Sequence, residues 1–170
     1  LHPPEDFDCH LPLLSTPHVL GLTDWADMPG LQGYLAPPAD FRFEIPELNP
    51  AGRNVGIIWG GNPQFSGDFE RSAKLDYYLP LLKIDGVRLF SLQKGAREPE
   101  LRDAPAEIVR LSERITDFCD TASIMSQLDL VITTCTSTAH LAGALGVPCW
   151  VALCHNPDWR WLRNREDSPW

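Results

Sequence analysis

Between Arg53 and Leu153 the chain alternates short apolar runs with polar turns and helical spacings. Val55 to Trp59, Val87 to Leu92, a short run within "EIVRL", Leu130-Val131-Ile132 and Cys149 to Leu153 have the length and apolar character of covered parallel strands. Helical spacings lie between them. Tyr77, Tyr78, Leu81 and Leu82 mark a short helix. Phe118, Ala122, Ile124, Met125 and Leu128 mark the inner side of a second, and Leu141, Ala142, Ala144 and Leu145 that of a third. Gly146 stands where a C′ glycine ends the third helix. The alternation predicts an α/β domain: a Rossmann-like parallel sheet with helices on both faces and right-handed crossovers.

Three of the predicted strands end in polar turns: Gly60-Gly61-Asn62, Gln93-Lys94-Gly95 and Thr134-Cys135-Thr136-Ser137. In an open α/β sheet these ends share one edge, where ligands bind. The two glycines let backbone approach a ligand closely, although the pattern is neither GxGxxG nor a P-loop. In "TTCTSTAH", Thr136 or Ser137 at the N-cap would satisfy one orphan N–H of the following helix. One cap accounts for one hydroxyl. The others, Thr138 included, with the helix dipole and His140 one turn on, describe a site for phosphate oxygens. His140 is equally well placed as a helix-surface or core-edge side chain. Lys94, past a strand end, and Lys74, between a polar loop and a helix, suit either solvated surface or a point charge on phosphate. Cys135 as a nucleophile would need a base, and no spacing in the sequence supplies one.

Composition narrows the classes. At 170 residues and 44% hydrophobic the chain can bury one good core. A net charge of −9 argues against a nucleic-acid backbone as partner, since phosphate binding needs clustered Lys and Arg, and no nucleic-acid partner is expected. Residues 1–50 hold eight acids against the single base Arg42, and nine of the 16 prolines. They predict an acidic, proline-rich arm over 1–52, with the compact domain over 53–170. Five scattered cysteines without a CxxC pair point away from zinc and from a disulfide framework, and toward a reducing, cytoplasmic setting. Cys9-His10 and Cys154-His155 could meet around a metal, but buried thiols beside solvated histidines suffice, and no metal is expected. No membrane span or signal peptide is visible. The chain lacks an initiator methionine and stops at "REDSPW", which predicts a piece of a longer protein. In "PDWRWLRNREDSPW", Trp159 and Trp161 either pack on the sheet or border the ligand site and stack a base or sugar face. At least one of them is expected against the Thr136–His140 turn.

"CTSTAHLAGALGVPCWVAL" resembles the (D/N/C)-T-(G/S)-x-x-H-x-A-x-A-x-G-x-P motif of the heptosyltransferase-like glycosyltransferases, most closely their tetratricopeptide-repeat-fused relatives. "VGIIWGGNP", "RSAKLDYYLPLL", "SLQKG", "DFCDTASIMSQLDLVIT" and "PDWRWLRNREDSPW" resemble further blocks in the same order, and "FDCHLPLLSTPHVLG" the segment joining the family's two halves. The resemblance implies the C-terminal half of a GT-B fold, binding a nucleotide-diphosphate sugar for an inverting, metal-independent transfer without a cofactor. It puts Thr136, Ser137 and His140 on the donor diphosphate. The lysine of the family's K-x-W-P block falls on Lys74, with Leu75-Asp76-Tyr77 in place of Trp-Pro, and Cys135 stands where heptosyltransferases usually carry Asp. The general base would come from the N-terminal half, and the acceptor would be a glycan or protein. The N-terminal half and the repeats are the other implied partners. The alternatives are a non-catalytic module binding a nucleotide or a protein, and an unrelated flavodoxin-like domain.

Overall fold

A computed structural model of the chain describes residues 6–24, 33–162 and 164–168. Its contacts divide the chain into two compact units, with the boundary between Leu31 and Gln32. In the first, a 3-10 turn over Leu13–Ser15 runs into the short helix α1, Thr16–Val19, with Pro17 in its first turn. Pro17 is suited to that place because a first-turn N–H has no intrahelical partner. Leu13, Leu14, Val19 and Leu20 are all exposed.

The second unit is built on a five-stranded, all-parallel sheet in the order β3-β2-β1-β4-β5, a Rossmann-like α/β fold. The strands are β1 Arg53–Ile58, β2 Val87–Ser91, β3 Val109–Arg110, β4 Leu130–Thr134 and β5 Cys149–Ala152. The helices are α2 Asp68–Arg71, α3 Phe118–Met125 and α4 Ser137–Leu145. Strand alternation sends Val55, Ile57, Trp59 and Leu89 into one core, with Leu75, Tyr78, Leu101 and Ile108 from the first two crossovers. Ile58, Phe90, Leu92 and Val131 point into the other, against Ile124 and Met125 of α3 and Ala142 of α4. From β1 the chain winds outward to β3, then returns to β4 on the other side of β1. The switch point thus falls between β1 and β4, where the crevice of such a sheet opens.

Several local features have direct causes. Gly146 adopts φ 70°, the left-handed C′ conformation, and ends α4 as its position in the sequence predicts. The helix expected over Tyr77–Leu82 is instead two 3-10 turns, Leu75–Tyr77 and Leu79–Lys83, with Pro80 in the first turn of the second. A proline there has no N–H to continue an α-helical ladder from the preceding turn. Asp129 accepts from the Asn54 N–H at 2.8 Å and from Arg53 Nη1 at 3.1 Å, tying the starts of β1 and β4 together.

Part of the acidic arm belongs to the sheet unit, so the compact domain begins ahead of Arg53. Phe43 and Ile45 are buried in the core cluster of α3 and β2. The Phe43 N–H donates to Ser123 Oγ at 2.8 Å, and its carbonyl accepts from Gln127 Nε2 at 2.9 Å. Burying two such side chains contributes about 1.5–3 kcal/mol each, enough to hold a proline-rich strip against the domain. Further up the arm, the N–H groups of Tyr34 and Leu35 both donate to Ala144 O, capping the end of α4. Among the described residues, no helix is long and apolar enough to cross a membrane.

Candidate functional site

A cleft of about 800 Å³ opens at the carboxyl edge of the sheet, over the switch point. Of the residues expected there, Gly60, Gly61, Asn62, Lys94, Thr136, Ser137 and Thr138 do line it together. Lys74, His140 and Trp159 do not. Arg71, Gln93, Thr116, Asp117, Phe118 and Thr121 complete the polar and aromatic parts of its wall.

The turn after β1 is held by side chains rather than by a ladder. Gln93, 1% exposed, accepts from the N–H groups of Trp59 and Gly60 through Oε1, at 3.0 and 2.8 Å. Its Nε2 donates to Gly60 O and Lys94 O, so one amide fastens the ends of β1 and β2. Gly61 N donates to Ser72 Oγ, which donates to Asp68 Oδ2. A Cβ on Gly61 would lie 2.4 Å from Asp68 Oδ1 and 2.7 Å from Arg71 Nη2, so a side chain there collides with this network. Asn62 spends its Oδ1 on the Gln64 N–H, closing a local turn.

Arg71 is the cation of this wall. Its Nε pairs with the buried carboxylate of Asp68 at 3.2 Å, its Nη1 donates to Cys135 O at 3.2 Å, and its guanidinium lies 4.5 Å from the Phe65 ring centroid. Nη2 has no hydrogen-bond partner among the described residues, which leaves donors for a ligand. Lys94 also lines the cleft, but its Nζ donates to Ser112 O at 2.7 Å. Arg71 has no local signal in the sequence: it sits in an aperiodic polar loop, and only the folding of α2 over the β4 turn gives it a role.

The turn after β4 differs from the predicted cap. Thr136 occupies the N-cap position of α4 but its side chain makes no capping bond. Its hydroxyl instead joins a triangle with Thr133 and Thr138, with oxygens 2.7 Å apart for 136–138, 2.8 Å for 133–138 and 3.4 Å for 133–136. Hydroxyls at three close positions satisfy one another more readily than each reaches back to an amide. The start of α4 thus keeps its free N–H groups, beside the exposed hydroxyl of Ser137.

The opposite wall carries the start of α3, and there the cap is complete. Asp117 Oδ1 accepts from the N–H groups of Cys119 and Asp120 at 2.8 and 2.9 Å. An Asp directly before a helical spacing is a readable N-cap signal in the sequence. One turn on, Asp120 accepts from both Thr116 N and Thr116 Oγ1, and these bonds hold its carboxyl below the ordinary range. Phe118 is 59% exposed, an aromatic face left open at the rim.

His140 lies off the cleft, with its ring stacked on Trp161 at 5.3 Å between centroids and 17° between planes. Burial lowers its pKa, repulsion from Arg160 adds to this, and Asp158 opposes it. Trp161 therefore meets the expected contact with the 136–140 turn, whereas Trp159 is 54% exposed. Lys74 is exposed at the N-cap of a 3-10 turn and is not one of the residues that line the cleft. Among the described residues, no group of three His, Cys, Asp or Glu side chains is placed to hold a metal.

Over 138 residues the chain is 30% identical to Protein FlbA of Caulobacter vibrioides, a match that takes in 78% of this chain and 23% of that protein. The chain therefore spans less than a quarter of the length of this relative. No family model matches the chain, and no solved structure matches it at a significant level.

Proposed function

We propose that the chain is the donor-binding half of an inverting, metal-independent glycosyltransferase of the heptosyltransferase-like group, and that the cleft takes a nucleotide-diphosphate sugar. One observation carries this reading: two helices start at the cleft, and only one start is open. The α3 start is closed by the Asp117 carboxylate, while α4 has no side-chain cap and faces Arg71. A diphosphate is therefore drawn to the α4 side. The helix-dipole contribution there is about 0.3–1 kcal/mol, up to ~2 when partly buried. A hydrogen bond to a charged group adds about 1.5–3 kcal/mol, so Arg71 outweighs the dipole.

The α3 side suits the rest of such a molecule. Asp117, Thr116 and Thr121 offer partners for ribose or sugar hydroxyls, and Phe118 and Ile115 offer an apolar face for a base. When the sugar–phosphate bond breaks, negative charge grows on the departing diphosphate. Fixed donors at Arg71, Ser137 and the α4 amides stabilise that charge without a covalent intermediate. The general base and the acceptor site, for a glycan or a protein, belong to the N-terminal half in this reading, alongside the tetratricopeptide repeats of the parent protein. Its place is the cytoplasm, in keeping with five free cysteines.

A second reading, a module that holds a nucleotide without transferring from it, has one observation in its favour. Asp117 is the one carboxylate among the described residues lining the cleft, and it is engaged as a cap. Titration with UDP-, GDP- and ADP-sugars, followed by assay for released nucleoside diphosphate in the presence of the N-terminal half, separates the two. Binding with release supports the transferase, binding without release the module, and no binding contradicts both.

A further inference from the structure

Trp161 does not line the cleft, yet it touches both ends of the turn that does. Its indole Nε1–H donates to Cys135 Sγ at 2.9 Å, at the residue leaving β4. Its ring stacks on His140, one turn into α4. The side chain is 5% exposed, the most buried part of a segment whose neighbours Trp159 and Arg165 lie at the surface. From the other side Arg71 holds the Cys135 carbonyl, so Cys135 is gripped by its backbone oxygen and by its sulfur at once.

The turn needs an outside hold. Its own hydroxyls pair with one another, and the N-cap side chain does not reach the helix amides. A helix start without a side-chain cap frays readily, because its first N–H groups have no internal partner. A rigid aromatic anchored to the residues before and after that start limits the motion without occupying the space a ligand needs.

We propose that Trp161 is a positioning residue, clamping Cys135 and His140 from outside the cleft so that the Ser137 and Thr138 amides stay aimed at a bound anion. The inference rests on reading the cleft as a diphosphate site, and the segment Asp158–Trp161 becomes a structural part of that site. Asp158 orders the segment: its Oδ1 accepts from the N–H and the Nε of Arg160, at 3.0 and 2.7 Å. The residue after Trp161, Leu162, takes φ 61° and ψ −178°, a region open in practice to glycine.

Three single variants of the 170-residue chain and the Trp161→Phe, Cys135→Ala double variant test this, with UDP, ADP and GDP as probes. Trp161→Phe keeps the stack and loses the N–H, and should weaken binding of whichever probe binds about threefold. Cys135→Ala removes the sulfur and should cost the same, with no further loss in the double variant, since both changes delete one bond. Trp161→Leu also removes the stack and should weaken binding about tenfold or more. It should also let the His140 titration, followed by NMR, rise toward its ordinary value, an effect absent from Trp161→Phe. Binding equal to the parent in both Trp161 variants overturns the proposal, whatever the melting temperature does. So does a full further loss in the double variant. If the parent binds none of the probes, the diphosphate reading fails. Amide exchange at Ala139, whose N–H reaches Thr136 O, then decides the clamp by itself. Faster exchange in Trp161→Phe and Cys135→Ala upholds it, and unchanged exchange overturns it.

Discussion

Arg71 Nη1 lies 3.2 Å from the carbonyl oxygen of Cys135, joining α2 to the turn after β4, 64 residues later in the chain. The same guanidinium is paired with Asp68, whose carboxylate also accepts from Ser72 Oγ beneath Gly61. The bond therefore brings the turns after β1 and β4 to one cation, at the sheet's switch point.

Replacing this side chain separates binding from folding. Arg71→Lys keeps a charge but lacks the planar fork that reaches Asp68 and Cys135 together. It should weaken nucleoside diphosphate binding about tenfold, at a stability cost of about 1 kcal/mol. Arg71→Leu leaves the buried Asp68 carboxylate without its ion partner and should cost about 3 kcal/mol or more. Calorimetry and urea denaturation of the two variants check both numbers. Arg71→Lys binding as tightly as the parent would remove Arg71 from the ligand's path.

Ser137→Asp places a carboxylate where phosphate oxygens are expected, at the open start of α4. A negative charge there is mildly stabilising for a helix, by about 0.3–1 kcal/mol. The variant should therefore melt no lower than the parent and lose nucleotide binding entirely. A variant that unfolds, or that binds as before, would reduce the turn to a helix cap.

Asp120 and Asp129 give the domain an acid limit. Hydrogen bonds to Thr116 hold the first carboxyl below its ordinary value, and the Asn54 N–H, with help from Arg53, does the same for the second. Both folded values are lower than the unfolded value of about 3.9, so the unfolded chain binds protons first as pH falls. Stability from these groups is complete above that value and disappears as pH drops through the folded ones. Urea midpoints measured from about pH 5 to about pH 2 should fall steeply in the parent and less steeply in Asp120→Asn and Asp129→Asn.

The thiols should differ in reactivity. Burial pushes the Cys149 thiol up to about 11, leaving little thiolate near neutral pH, while Cys119 is exposed. Iodoacetamide at about pH 8 should label Cys119 readily and Cys149 only after denaturation, as peptide mass mapping would report. Early labelling of Cys149 would contradict its place at the start of β5, paired with Val131 of β4.

Much of this was legible along the chain because it is local. The five apolar runs found their strands, and the Gly146 stop and the three polar turns stand where their neighbours in sequence put them. What was not legible depends on distant partners. Arg71 looks like loop polarity until α2 folds beside Cys135, and Lys74, three residues on, has the same appearance without the position. Phe43 and Ile45 are two apolar residues in a proline-rich arm, too few to make a pattern, and only the gap beside α3 explains them. Thr136 has the right residue type and place for a cap, yet two neighbouring hydroxyls compete for its oxygen.

A bound diphosphate should sit at the start of α4, beside Arg71, and not at the start of α3. The most direct measurement is an NMR titration of the ¹⁵N-labelled chain with a nucleoside diphosphate, following backbone amides and the Arg71 Nε. Gly61, Ser137, Thr138 and Arg71 Nε should move together and saturate, while Cys119 and Asp120, already bonded to Asp117, keep their capped signature. Saturable shifts at Cys119 and Asp120 with none at Ser137 and Thr138, or no saturable shift at any of them, would contradict this placement.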